Sequence, residues 1–381
     1  MSVLSGVICE VDFKFLYWPQ NLELKKKGIM NKYKAIDLFC GAGGLTIGLK
    51  KAGFEVVAGV EINAAAVETY SINHKNHRVY ETDIRELSPQ KIMDEIGIKK
   101  GELDLLAGCP PCQGFSTHRT RNKSTSIPDE RNNLVFEFVR FVEEFLPKTI
   151  MMENVPGLAK DKSMKEVISQ LTNLGYIFND ETVVVRDAAE YGVPQRRRRM
   201  IMLASRFGEI IPPKPAKITR TVRDTIGGLE LPEFSKDPLH NMVAERSLKV
   251  RKIIKLIPKD GGSRSDIPKR YWLECHKRRP YSYQDVYGRM SWDKPSPTIT
   301  GGCHQPSKGR FIHPEQDRSI SLREAALLQT FPKSYKFSLS KGKDGVALMI
   351  GNALPPEFIK RQAITLVKHL KESAKGPVNG I

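Results

Sequence analysis

From Lys34 onward, short apolar runs alternate with longer stretches of helical spacing. Residues 35–39 read as a strand, 45–52 as a helix closed by Gly53, and 54–60 as a second strand ending at Glu61. Residues 64–73 give a helix, 78–81 a third strand ending near Asp83, and 103–107 a fourth. In residues 133–145, Leu134, Phe138, Phe141, Val142 and Phe145 share one helical face. A strand at 149–152 ends at Glu153, a helix follows at 164–174, and another strand at 200–204. Short strands separated by helices predict an α/β fold with a doubly wound, mostly parallel sheet.

The pattern changes after about Ile210, where Pro212, Pro213 and Pro215 mark a boundary. The chain to about Tyr287 is polar, basic and poorly periodic, which suits a second, smaller domain with functional loops. Ser321-Leu322-Arg323-Glu324 is a capping box opening a helix to Gln329, and residues 357–371 form an amphipathic helix. The expected division is a main domain at 31–210 completed by 346–375, a second domain at 211–345, and a tail at 376–381. Residues 1–30 are set apart as an N-terminal extension. They end in Lys25-Lys26-Lys27-Gly28-Ile29-Met30, and codons for Lys-Lys-Gly before Met can spell a purine-rich ribosome-binding site. One expectation is therefore that translation starts at Met30 and that residues 1–29 are upstream read-through. The other is a short N-terminal arm. A peptide from 1–29 at full stoichiometry in the native protein would decide for the arm.

The 381 residues are 40% hydrophobic and 27% charged, ordinary for a soluble protein with room for two cores. No apolar run approaches the roughly 18 residues that span a membrane. Sixty-one basic against 43 acidic side chains leave +18, which favours a polyanionic partner such as nucleic acid; a generally basic surface is the plainer reading. Six scattered cysteines are no disulfide framework, so a reducing cytoplasm is the simplest compartment. Charges at Glu10, Asp12 and Lys14 interrupt any signal-peptide core.

Asp37-Leu38-Phe39-Cys40-Gly41-Ala42-Gly43-Gly44 puts a glycine turn between the first strand and first helix, where backbone can approach a ligand closely. The dinucleotide fingerprint would need glycine in place of Thr46. Glu61 at the second strand end suits ribose hydroxyls, and Asp83 at the third suits an adenine amino group. Three strand ends converging on a nucleoside-sized crevice point to S-adenosylmethionine ahead of NAD, with solvated surface acids as the plainer alternative.

Cys109 and Cys112 form a Cys-x-x-Cys pair in a proline turn, open to three readings: a nucleophile, a redox dithiol, or half a zinc site. Cys275-His276 and Cys303-His304 are not spaced ligand pairs, so no metal is expected. Residues 113–128 are a polar basic stretch rather than the helix a redox dithiol opens, and suit a loop closing over substrate. Glu153-Asn154-Val155-Pro156-Gly157 places a glutamate at a strand end, where burial can raise its pKa for acid catalysis. In Gln195 to Arg199, alternate side chains point one way, so Arg197 and Arg199 are expected to share a face and stabilise anions.

Together, the Asp37–Gly44 turn, Pro110-Pro111-Cys112-Gln113, Glu153-Asn154-Val155, Gln195-x-Arg-x-Arg and Gly351-Asn352-Ala353-Leu354-Pro355 resemble the C5-cytosine DNA methyltransferases of bacteria, in order, from Lys34 to about Lys371. Leu354 stands where that family often has valine. The resemblance implies the S-adenosylmethionine-dependent methyltransferase fold, with 211–345 as a target-recognition domain. It implies Cys112 as nucleophile at cytosine C6, Glu153 at N3, and Arg197 and Arg199 orienting base and acid. Cofactor contacts fall on Phe39, Gly41, Gly43, Glu61, Ile62, Asp83, Ile84, Leu134 and Asn352. DNA contacts fall on Gln113, Ser116, Arg289 and Thr298, with Arg264, Arg270, Lys277, Arg278 and Arg279 among Tyr271, Trp272, Tyr281 and Tyr283 suited to phosphate and base contacts. Duplex DNA with base flipping, a monomeric enzyme and a paired restriction endonuclease are implied partners and habits. Cys109 is expected only to pack beneath the turn, so Cys109→Ala should be tolerated. A transfer-RNA enzyme is the alternative, disfavoured because no Cys-Phe-Thr follows the arginine run. A binding protein without catalysis is disfavoured by the intact Cys112, Glu153, Arg197 and Arg199.

Overall fold

A computed structural model describes residues 33–75, 77–111 and 134–375. Its sheet runs in the order β3-β2-β1-β4-β5-β7-β6. The strands are β1 (Lys34–Leu38), β2 (Glu55–Glu61), β3 (Arg78–Glu81), β4 (Leu105–Gly108), β5 (Thr149–Asn154), β6 (Val183–Asp187) and β7 (Arg198–Ser205). The first five pair parallel, and β7 runs antiparallel to both β5 and β6. That antiparallel entry matters for the site. The start of β7 lies where the parallel strands end, with Glu153 opposite Ile201 and Asn154 opposite Met200.

Alternate strand residues feed two cores, as the two-residue period of a strand requires. Ile36, Leu38, Leu106, Ile150, Met152 and Met200 pack beneath α3 (Pro89–Ile96), α4 (Leu134–Phe145) and α5 (Lys162–Asn173). Ala35, Leu105, Ala107, Met151, Ile201 and Leu203 pack on the other face, against α1 (Gly44–Ala52) and the final helix Pro356–Ser373. Helix α2 (Ala64–Asn73) follows β2. The expected strands and helices of residues 35–174 are all present, with ends within two residues of expectation. Within the sheet region, one strand and one α-helix went unexpected. Edge strand β6 is half-buried at every position, so no alternation marks it. In α3, Pro89, Ile92, Met93 and Ile96 recur at i, i+3, i+4 and i+7 and face the core, a helical stripe that the sequence reading passed over.

Beyond Ile210 no strand of the sheet occurs among the described residues. Helix α6 (Leu248–Leu256) supplies Ile253 and Ile254 to a small core with Ile257, Ile267, Trp272, Tyr287 and Ile312. A larger cluster joins Met290, Ile299, Phe311 and Ile320 to α7 (Leu322–Leu328) and α8 (Gly342–Asn352), and reaches Ala42 and Ile47 of the first region. The capping box at α7 forms in both directions, with Glu324 N donating to Ser321 Oγ (3.0 Å) and Ser321 N to the Glu324 carboxylate (2.7 Å). Among the described residues no helix is long and apolar enough to cross a membrane.

Candidate active site

A cleft of about 1100 Å³ opens along the ends of β1, β2, β3, β4 and β5 and the start of β7. This is where open α/β sheets bind ligands. Phe39, Gly41, Glu61, Ile62, Asp83, Ile84 and Leu134 line its β1–β3 end. Cys109, Pro110, Pro111, Glu153, Arg197, Arg199 and Thr298 line the other, and Gly351, Asn352 and Leu354 form a wall.

At the first end the backbone turns sharply. Phe39 has φ +61°, a left-handed conformation that costs a residue with a Cβ roughly 1 kcal/mol and presents its ring to the cleft. The Glu61 carboxylate accepts from the N–H groups of Gly41 (3.0 Å), Ile62 (3.0 Å) and Asn63 (2.8 Å), tying the glycine turn to the entry of α2. Burial raises its pKa, and those three donors pull it back. Asp83 takes the Arg85 guanidinium on both oxygens and sits below the usual carboxylate range because of it. Ile62 is 64% exposed, an apolar side chain left bare at the cleft. Behind the turn, Thr46 donates to buried Asp37 (2.6 Å), whose pKa burial pushes up to about 7.

At the second end, the antiparallel entry of β7 brings Arg199 Nε within 2.8 Å of Glu153 Oε1. Burial raises the Glu153 pKa, opposed by Arg199 and then Arg197. Oε1 has this ion pair but no aligned hydrogen bond, an acceptor held inside the cleft wall. Burial raises the Cys109 thiol's pKa, with the nearby Glu153 charge next, and keeps the thiol protonated. Asn154 Nδ2 donates to Pro110 O (2.9 Å), clamping the turn that leads to Cys112. Cys112, Gln113 and Ser116 lie outside the described residues.

Arg197 and Arg199 both reach the cleft, by different means. Arg197 is 3% exposed and precedes β7; its two terminal nitrogens donate to Ile299 O and Gly351 O, each 3.0 Å. Burial first, and Arg199 second, lower its pKa to about 9, which still leaves it charged at neutral pH. It holds the cleft wall, and Arg199 holds the acid.

Two expected site residues sit elsewhere. Gly43 does not border the cleft. It has φ +87°, and a Cβ there would lie 2.6 Å from Tyr335 Oη and 2.7 Å from His74 Nε2, so glycine serves a close approach inside the protein. Arg289 is fully buried, its guanidinium donating to the carbonyls of Ile254, Ile257, His313 and Gln316 and paired with Asp317. The expectation that it contacts DNA is corrected: it is an internal strut. Buried Arg264 likewise donates to Ser282 O, and Trp272 Nε1 to Ile267 O. Lys269, Arg270 and Lys277 border a separate cavity of about 290 Å³, and Tyr281 is exposed. Thr298 borders the main cleft, its hydroxyl donating to Arg196 O (2.8 Å). Sequence reading passed over Asn154 and Gly351 on the cleft wall, and the buried Gln195 and Gln329 behind it, although three of the four stand inside quoted motifs.

A family model described as C-5 cytosine-specific DNA methylase matches residues 33–368. Type II methylase M.HgiDII of Herpetosiphon aurantiacus is 39% identical over 334 residues, covering 84% of this chain and 91% of that one. Type II methyltransferase M1.HphI of Haemophilus parahaemolyticus is 36% identical over 343 residues, 87% and 86% of the two chains. A solved structure of a candidate DNA modification methyltransferase encoded within an E. coli prophage superposes with TM-score 0.68 at 24% identity, covering 89% of this chain and 99% of its own.

Proposed function

Because the chain belongs to the C-5 cytosine-specific DNA methylase family and is a cytosine-5 DNA methyltransferase, we propose that it methylates a flipped cytosine in duplex DNA through a covalent bond between Cys112 and C6. The observation that carries this reading is the meeting of Glu153, Arg199 and the clamped Pro110-Pro111 turn at one end of a cleft that also has a nucleoside-sized end.

The residues fit S-adenosylmethionine. Phe39, Ile62 and Leu134 offer apolar surface for a purine, Glu61 keeps lone pairs beyond its three backbone donors, and Asn352 is exposed at the wall. When bound, the cofactor supplies an electrophilic methyl on a sulfonium. Cytosine C5 is a poor nucleophile until a thiolate adds at C6. Cys112 makes that addition while Glu153, whose burial favours the protonated form, donates to N3 and draws electron density from C6. Arg199 fixes the carboxyl and carries positive charge beside the forming adduct. After methylation, loss of the C5 proton and departure of the Cys112 sulfur restore the aromatic ring. The base must leave the duplex to reach the cleft.

Residues 31–210 with 346–375 form the catalytic part in this reading, and 211–345 the target-recognition part. The net charge of +18 suits the duplex. The enzyme acts as a monomer in the bacterial cytoplasm and protects host DNA from a partner restriction endonuclease. Incubation with tritiated S-adenosylmethionine and either duplex DNA or transfer RNA tests it. Label should enter DNA only, and bisulfite sequencing of host DNA with and without the gene should give the recognised sequence. Label in RNA alone would overturn the reading.

A further inference from the structure

We infer that Gln329 is a positioning residue that couples the cofactor wall of the cleft to the wall that faces the target base; this rests on the methyltransferase reading above. Gln329 is fully buried at the C-terminal end of α7 and lines no part of the cleft. Its Nε2 donates to Ile350 O (2.6 Å) and Ala353 O (3.3 Å), carbonyls at the end of α8 on either side of Asn352. The last carbonyls of a helix have no partner within it. Here a side-chain amide supplies one.

The other half of the same amide faces the opposite wall. Gln329 Oε1 accepts from Gln195 Nε2 (2.9 Å), and Gln195 Oε1 accepts from Ile299 N (2.9 Å). Arg197 runs a second strut alongside, between Ile299 O and Gly351 O. Both backbone groups of Ile299 are therefore held, between cleft residues Thr298 and Thr300. The two walls also touch directly, because a Cβ on Gly351 would overlap the backbone of Thr300 and Gly301. A movement of the Asn352 segment on cofactor binding is transmitted to the Thr298 segment through these struts. An amide at 329 donates and accepts without changing charge. An ionised carboxylate accepts from Gln195 but faces the two carbonyls with no donor, and an apolar residue takes the Gln329 partner from all three groups, leaving Gln195 Nε2 only its longer contact to Leu328 O (3.5 Å).

The test compares wild type, Gln329→Glu and Gln329→Leu. The Kd for S-adenosylhomocysteine is measured with and without duplex DNA carrying the methylated sequence, alongside KM and kcat. In the wild type each ligand should tighten the other, as linkage requires. In Gln329→Glu that coupling ratio should fall to near one and the KM for S-adenosylmethionine rise by about tenfold. Its kcat at saturation should fall by less than about threefold. A lower Tm with unchanged KM and coupling would overturn the proposal, as would a wild-type ratio of one. A readout on the wild type alone guards against variants that do not fold. Amide exchange of residues 325–330, outside the cleft, should slow on S-adenosylhomocysteine binding, and no slowing would also overturn it. If the wild type neither binds cofactor nor transfers methyl, the methyltransferase reading fails instead.

Discussion

The two ends of the cleft are built differently. At the β1–β3 end, polar side chains are held by near neighbours in the chain. Glu61 binds Ile62 and Asn63 beside it and Gly41 twenty residues before, and Asp83 binds Arg85. At the β4–β7 end the contacts that join segments are long-range, beside local bonds from Val155 N to Asn154 Oδ1 and from Arg199 to Arg198 O. Glu153 meets Arg199, Asn154 meets Pro110, Arg197 meets Ile299 and Gly351, and Gln195 meets Gln329. One end is set by local turns on strand tips. The other exists only once a strand has entered backwards and two distant segments have docked on it. The first end should therefore lose ligand affinity when cut, and the second should lose chemistry and wall geometry.

The largest expected effect is on chemistry. Glu153→Gln keeps the volume and removes the proton donor, so kcat should fall by about 10²–10⁴-fold while the S-adenosylhomocysteine Kd stays within a factor of a few. A large loss of cofactor affinity would contradict the division of labour between the two ends. Glu61→Ala should do the reverse. It frees three backbone N–H groups and removes the proposed ribose acceptor, weakening cofactor binding by about 10–100-fold in a direct titration. Near wild-type binding in that variant would show that the first end is not the nucleoside site.

A smaller effect tests the join between the walls. Gly351→Ala puts a methyl into the backbone of Thr300 and Gly301 and should cost about 1–3 kcal/mol, read as a lower Tm. An unchanged Tm would mean the walls can separate freely.

Acid should weaken both regions through buried histidines. Burial pulls His74 down to about 3 and His313 to about 4, so each is neutral in the folded chain. Below the ordinary value of 6.5 the unfolded state takes up protons that the folded state does not. Their contribution is therefore full above pH 6.5 and is lost as pH falls toward 4 and 3, at up to about 1.4 kcal/mol per pH unit each. Asp37 acts oppositely. With its pKa raised to about 7, it costs stability as pH rises from 3.8 to about 7. Denaturant titrations from pH 4 to 8 should show a steeper acid loss in Asp37→Asn and a flatter one in His74→Gln. Parallel curves for all three proteins would contradict these assignments.

The same contrast explains what could be read in advance. The β1–β3 end was legible because its residues sit at strand tips that hydrophobic periodicity locates, with helix α2 found at Ala64–Asn73 as expected. The pairing of Glu153 with Arg199 was foreseen only through a family resemblance, since the antiparallel direction of β7 leaves no mark on its own residues. Arg289 misled for a related reason. An arginine in a basic stretch looks like a phosphate contact, and only the packing of α6 beside it shows carbonyls from four residues waiting for its guanidinium. Gln329 carries no sequence signal at all, because a buried amide and a solvated one are the same letter.

The central claim is the bond between Cys112 and C6 of the target base. A duplex containing the recognised sequence with 5-fluorocytosine at the target tests it most directly, because fluorine at C5 cannot leave as a proton does and the adduct cannot resolve. With S-adenosylmethionine present, the wild type should form a denaturation-resistant complex whose digested peptide carries the nucleotide on Cys112, and Cys112→Ser should form none. A complex mapped to Cys109 or another residue, or methyl transfer by Cys112→Ser at a substantial rate, would contradict it.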